Sequence, residues 1–125
     1  MKTENQIFLE KFNEAFANND TDFILDQVTD DIRWEIVGDK ILEGKEAFAE
    51  ALKEMEQAEP LKMTIHHIIT HGKHASVNGV MTTSDGTSYG FCDVLTFSGF
   101  KNPKVKVMTS YAVEISQQLM NKTYR

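Results

Sequence analysis

Cysteine is almost missing from this sequence: Cys92 stands alone among 125 residues, so no disulfide can form within the chain and a stapled secreted scaffold is not implied. Arginine is nearly as scarce, with only Arg33 and Arg125, and no stripe of Lys and Arg compensates for it. The densest basic group is Lys101, Lys104 and Lys106, which reads as a solvated hairpin. With a net charge of -6, the chain lacks the clustered cations that displace counterions from a phosphate backbone, and nucleic acid is not an expected partner. No apolar run approaches the roughly 18 to 20 residues that span a bilayer. The N-terminus has no basic region followed by an apolar core, so no signal peptide is expected and the cytoplasm is the expected compartment.

What is present fits an ordinary globular protein. Hydrophobic residues make up 41% and charged residues 26%, and the length suits one domain, 1–125, with an ordered core over about 5–116. From Asn5 to Ala17, Phe8, Phe12, Ala15 and Phe16 recur on one side of a helix, with Leu9 beside them. Asn18-Asn19-Asp20 breaks that pattern, and Asp20 can cap a second short helix through Phe23, Ile24 and Val28. Asp31 to Val37 alternates, with Ile32, Trp34 and Ile36 on one side and Arg33 and Glu35 on the other, predicting a half-buried strand with Trp34 inward. Gly44 then precedes a third helix carrying Phe48, Leu52 and Met55, which Pro60 ends.

Beyond Pro60 the residues are those of strands. Turn signals at Gly72-Lys73, Ser84-Asp85-Gly86 and Ser98-Gly99 to Pro103 divide four of them, about 62–71, 74–83, 88–97 and 105–116. Short connections predict an antiparallel meander, and the order helix, helix, strand, helix, four strands predicts an α+β fold with helices on one face. The segment from Gln117 to Arg125 reads as a frayed tail.

Four short motifs in this order carry a resemblance: Phe12-Asn13-Glu14-Ala15-Phe16 leading to Asn19-Asp20, then Asp30-Asp31-Ile32-Arg33-Trp34, Gly44-Lys45-Glu46-Ala47-Phe48, and Asp93-Val94-Leu95-Thr96-Phe97. The chain resembles the SnoaL-like branch of the nuclear transport factor 2-like superfamily, which includes polyketide cyclases and ketosteroid isomerases. The resemblance covers nearly the whole chain and implies a cone: a curved, mixed, mostly antiparallel sheet wrapped over three N-terminal helices, with an apolar cavity between. It implies a homodimer, and the weakly charged outer residues Val94, Thr96, Val107 and Thr109 suit such an interface. The inward candidates for lining that cavity are Phe12, Phe16, Trp34, Ile36, Phe48, Leu52, Val77, Met81, Asp93, Met108 and Tyr111, and each large one suits a plain core equally well.

Asp93 interrupts the apolar strand segment Tyr89 to Leu95, at a position similar to the pocket aspartate of ketosteroid isomerases. Inside the cone its carboxyl would be desolvated and fitted to acid-base work; at the rim it would pair with a neighbouring Lys or hydroxyl. His67 and Tyr111 are candidate assistants, and His66 is a candidate ligand contact, because one of the adjacent histidines is expected to face inward and the other outward. That same alternation argues against a metal site, and no cofactor is expected. By resemblance the isomerase's phenol falls on Phe12 and its base on Ile36, neither of which moves a proton. The Asp-Arg-Asp group of limonene-type epoxide hydrolases is not visible either, since Arg33 alternates away from Trp34. Cys92, on the opposite face from Asp93, has no activating base beside it. The expected function is binding of a small, largely apolar molecule, with isomerase, cyclase or hydratase chemistry or with none.

Overall fold

The computed structural model describes residues 2–123. The first helix, α1 (Glu4–Ala17), starts at a capping box in which Thr3 and Gln6 satisfy each other's free backbone N–H groups. Phe8, Phe12 and Phe16, four residues apart, place three rings along one face of it. These rings run from Phe97 to Trp34 in unbroken contact, at centroid separations of 5.3 to 5.9 Å, and Trp34 packs in turn on Phe48. The second helix, α2 (Thr21–Asp26), is capped by Asp20, whose carboxylate accepts from the Phe23 N–H. Val28, expected at its end, instead opens the first strand, β1 (Val28–Ile36), where it is fully buried.

Sequence periodicity passed over a short strand, β2 (Lys40–Glu43), which turns back on β1 through Gly38 at φ +83°. Four residues are too few to show a period. Next comes α3 (Lys45–Glu54), which stops well short of Pro60. Asn19, itself at φ +58°, donates from Nδ2 to the Gln57 carbonyl and accepts from the Gln57 N–H, so that backbone is bonded outside the helix. The strands β3 (Lys62–His71), β4 (His74–Thr82), β5 (Ser88–Phe97) and β6 (Val105–Ile115) form the expected antiparallel meander. β6 then pairs with β1 in parallel, giving one mixed six-stranded sheet in the order β2-β1-β6-β5-β4-β3. The expected frayed tail is a further helix, α4 (Gln117–Thr123), with the Ser116 hydroxyl accepting from the Leu119 N–H at its start. Arg125 lies outside the described residues. None of the helices described is long and apolar enough to cross a membrane.

The sheet curves over the helices, with α1 against β3 and α3 against β1 and β2. One device of that curvature lies in β3. Ile65 pairs with Gly79 and His67 with Asn78, so His66 is an extra residue in the ladder, a β-bulge. The alternation changes phase there: Met63 and Ile65 face the core before it, Ile68 and Thr70 after it.

Candidate active site

A cavity of about 290 Å³ opens between α1, the loop after α3 and the concave side of the sheet, at the small end of the range for ligand sites. Phe16 and Asn13 come from α1, Trp34 and Ile36 from β1, Met55, Gln57 and Leu61 from α3 and the loop after it. Met63, Met81, Tyr89, Phe91, Asp93, Met108 and Ser110 come from the meander. Four of the chain's six methionines thus line one cavity, giving it a polarizable surface that adapts to shape. Met55 is 38% exposed and marks the rim.

Asp93 is the one carboxyl-bearing residue among the described residues that line the cavity. Its neighbours across the ladder are Val77 on β4 and Ser110 on β6. Removal from water pushes its pKa up to about 6, against a hydrogen bond from Ser110 that favours the ionised form. Ser110 is itself held: the Trp34 indole N–H donates to its Oγ at 2.8 Å. An indole nitrogen only donates, so the Ser110 oxygen is the acceptor there and its own hydrogen is left for Asp93. Trp34, Ser110 and Asp93 form a chain of hydrogen bonds with one direction, ending on a carboxyl poised to take or give a proton near neutrality. Replacing Ser110 by Ala is expected to raise the Asp93 pKa further. It should also cost about 1 to 2 kcal/mol by stranding the indole N–H. A carbon-13 NMR titration of the Asp93 carboxyl reads the first effect, and an unchanged midpoint would mean that the hydroxyl does not reach it.

Phe16, Trp34, Ile36, Met81, Asp93 and Met108 are brought to this cavity. Phe12, Phe48, Leu52 and Val77 are not: each is 5% exposed or less and belongs to the packed layer beneath it. Tyr111 pairs with Cys92 while Ser110 pairs with Asp93, so the tyrosine alternates to the convex side, is 47% exposed and only borders the cavity. The expectation that His66 and His67 take opposite faces is overturned by the bulge, which leaves both exposed. His67 Nδ1 lies 3.0 Å from Asn78 Oδ1, and His66 borders a shallow groove on the convex side. Arg33 is outside too, within 3.7 and 3.8 Å of Glu35 and Glu43. No cluster of three or more His, Cys, Asp or Glu suited to a metal ion occurs among the described residues.

Two polar groups of the site were missed from sequence. Ser110 was findable, since it is two residues from Met108 and so shares its face. Asn13 was not, because a helical Asn among apolar residues has no distinctive period. Buried at 4% exposure, it donates from Nδ2 to the Leu9 carbonyl at 2.8 Å, which leaves Oδ1 as the acceptor it offers the cavity.

Residues 9–106 match the family of SnoaL-like domains. The chain belongs to that family. Comparison with curated proteins gives no match. Among solved structures, this SnoaL-like chain is similar to a protein from Kribbella flavida provisionally described as a ketosteroid isomerase, with TM-score 0.72 and 14% identity over 87% of this chain and 77% of that one. It is similar to an LEH-like epoxide hydrolase of M. tuberculosis, with TM-score 0.69 and 20% identity over 84% and 79% of the two chains. An NTF2-like protein of unknown function from Cytophaga hutchinsonii gives TM-score 0.61 and 22% identity over 83% and 95%. At these identities the likeness is one of fold.

Proposed function

We propose that this SnoaL-like cone binds a small, largely apolar molecule and uses Asp93 as its acid-base group, in chemistry of the isomerase, cyclase or hydratase kind. The observation that carries the reading is the placement of a single carboxyl, aligned by Ser110 and Trp34, in a cavity otherwise lined mainly by aromatic, aliphatic and thioether side chains. A carboxyl with a pKa of about 6 serves as base in its ionised form and as acid in its neutral form, within one pH unit of neutrality. Structural neighbours described as an isomerase and an epoxide hydrolase support acid-base work in cones of this shape. The test is native mass spectrometry of the protein purified from its host's lysate, followed by denaturing release of any bound molecule. A stoichiometric apolar ligand supports the reading and supplies the compound to test for turnover. Empty protein from several lysates would favour a domain whose work is interaction rather than small-molecule chemistry.

The convex side of the sheet supports self-association. Ile69, Val94, Tyr111 and Val113 are all exposed there, at 62%, 43%, 47% and 70%. A homodimer through this face is the expected outcome of sedimentation at micromolar concentration, and a monomer would overturn it.

A further inference from the structure

Among the described residues, the carboxylate in the cavity has no counter-charge. Asp93 meets Val77 from β4, Ser110 from β6 and the Trp34 side of β1 through that serine. α1 contributes Asn13 and Phe16 to the cavity, and the loop after α3 contributes Gln57 and Leu61. The other titratable residues among the described ones that line it are Tyr89 and Tyr111, with no Lys, Arg or His. A carboxylate withdrawn from water without a counter-charge is costly unless a cation arrives with the ligand.

The surroundings favour the same sign. Trp34, Phe16, Phe91 and Tyr89 supply aromatic surface, which attracts cations more than it attracts anions. At the rim, the segment from Glu54 to Leu61 supplies Met55, Gln57 and Leu61 to the cavity and contains three glutamates and no basic residue. Glu54 is within 3.8 Å of Lys40, whereas Glu56 and Glu59 are exposed with no ion pair among the described residues. The net charge of -6 adds a long-range field that draws cations toward the chain.

Resting on the reading of the cone as a small-molecule pocket, we propose that its ligand is an apolar molecule bearing one positive charge, a protonated hydrophobic amine, with its nitrogen against Asp93. The aliphatic or aromatic body lies on the methionine and aromatic lining, whose soft thioethers adjust to its outline.

Calorimetric titration with three probes of one shape tests this: 2-(1-naphthyl)ethylamine, 2-(1-naphthyl)ethanol and 1-naphthylacetate. At pH 7.5 the amine is expected to bind at least tenfold more tightly than the alcohol, and the carboxylate weakest. At pH 5, where Asp93 takes up a proton, and in Asp93→Asn at either pH, the amine's advantage should fall below threefold. The unfolding transition of the variant, measured alongside, shows that it is folded. An alcohol or carboxylate that binds as tightly as the amine, or an amine preference that survives in Asp93→Asn, overturns the proposal while leaving the pocket intact. Binding of none of the three overturns the pocket reading and this proposal with it.

Discussion

Replacing Gly79 by Ala should leave the chain unable to hold its native sheet, with a loss of more than about 3 kcal/mol, beyond the usual range for an overpacked core. A Cβ there would lie 2.0 Å from the Thr64 carbonyl oxygen and 3.0 Å from both Thr64 C and Ile65 Cα. All three are backbone atoms of β3, and no side-chain rotation moves them. The close approach falls where Ile65 pairs with Gly79, immediately before the bulge at His66, and a bulge bends and twists the strand that carries it. Relief would require β3 to lift away, breaking its ladder with β4 and withdrawing Met63 from the cavity. Gly90 supplies the control. Its added Cβ would meet only the Ile115 side chain, at 3.6 Å, so Gly90→Ala should change stability by less than about 1 kcal/mol. Urea unfolding of the two variants compares them directly. A Gly79→Ala protein with a midpoint like that of Gly90→Ala would mean that β3 does not approach β4 as closely as this.

The same bulge shows where sequence reading stops. Helix faces were legible because Phe8, Phe12 and Phe16 keep a helical period, and the meander because Gly and Pro mark its turns. The phase change in β3 is also present in the sequence, with Met63 and Ile65 on one parity and Ile68 and Thr70 on the other. Strict alternation carried across it sends one of His66 and His67 into the cavity. In β6, an inward Met108 and an inward Tyr111 conflict, because a separation of three residues places them on opposite faces of a regular strand. Keeping Met108 and applying alternation gives Ser110, the group that holds Asp93. The division of large residues between cavity and core was beyond periodicity altogether. Phe12 and Phe16 lie on one helix face, yet only Phe16 reaches the cavity, because that depends on how far along the cone each sits. Asp93 was legible for the opposite reason: a carboxylate inside an apolar strand conflicts with local pattern, and such conflicts concentrate at functional sites.

That conflict has a thermodynamic signature, and Asp93→Asn is expected to stabilise the protein at pH 8 while leaving it nearly unchanged at pH 4. In the folded chain the carboxyl has a pKa of about 6, against 3.8 when exposed, so the folded state binds this proton more tightly than the unfolded one. Its contribution to stability is fully present below 3.8 and is lost as the pH rises through 6. The interval corresponds to about 3 kcal/mol, an upper bound on what the variant recovers above pH 7. Asn keeps an oxygen that accepts from the Ser110 hydroxyl and carries no charge at any pH, so the chain from Trp34 survives the substitution. Thermal or urea unfolding from pH 4 to 8 should therefore show the two proteins nearly coinciding at pH 4 and diverging progressively between there and about pH 6, with the variant more stable. A variant less stable at pH 8 would mean that the carboxylate is well compensated inside the protein, and the case for a cationic ligand would lose its main support. The predicted order links stability to function. At neutral pH the empty pocket holds a charge that weakens the fold, and a ligand bringing the opposite charge would restore that stability on binding, so Asp93 should make ligand-induced stabilisation larger in the native protein than in Asp93→Asn.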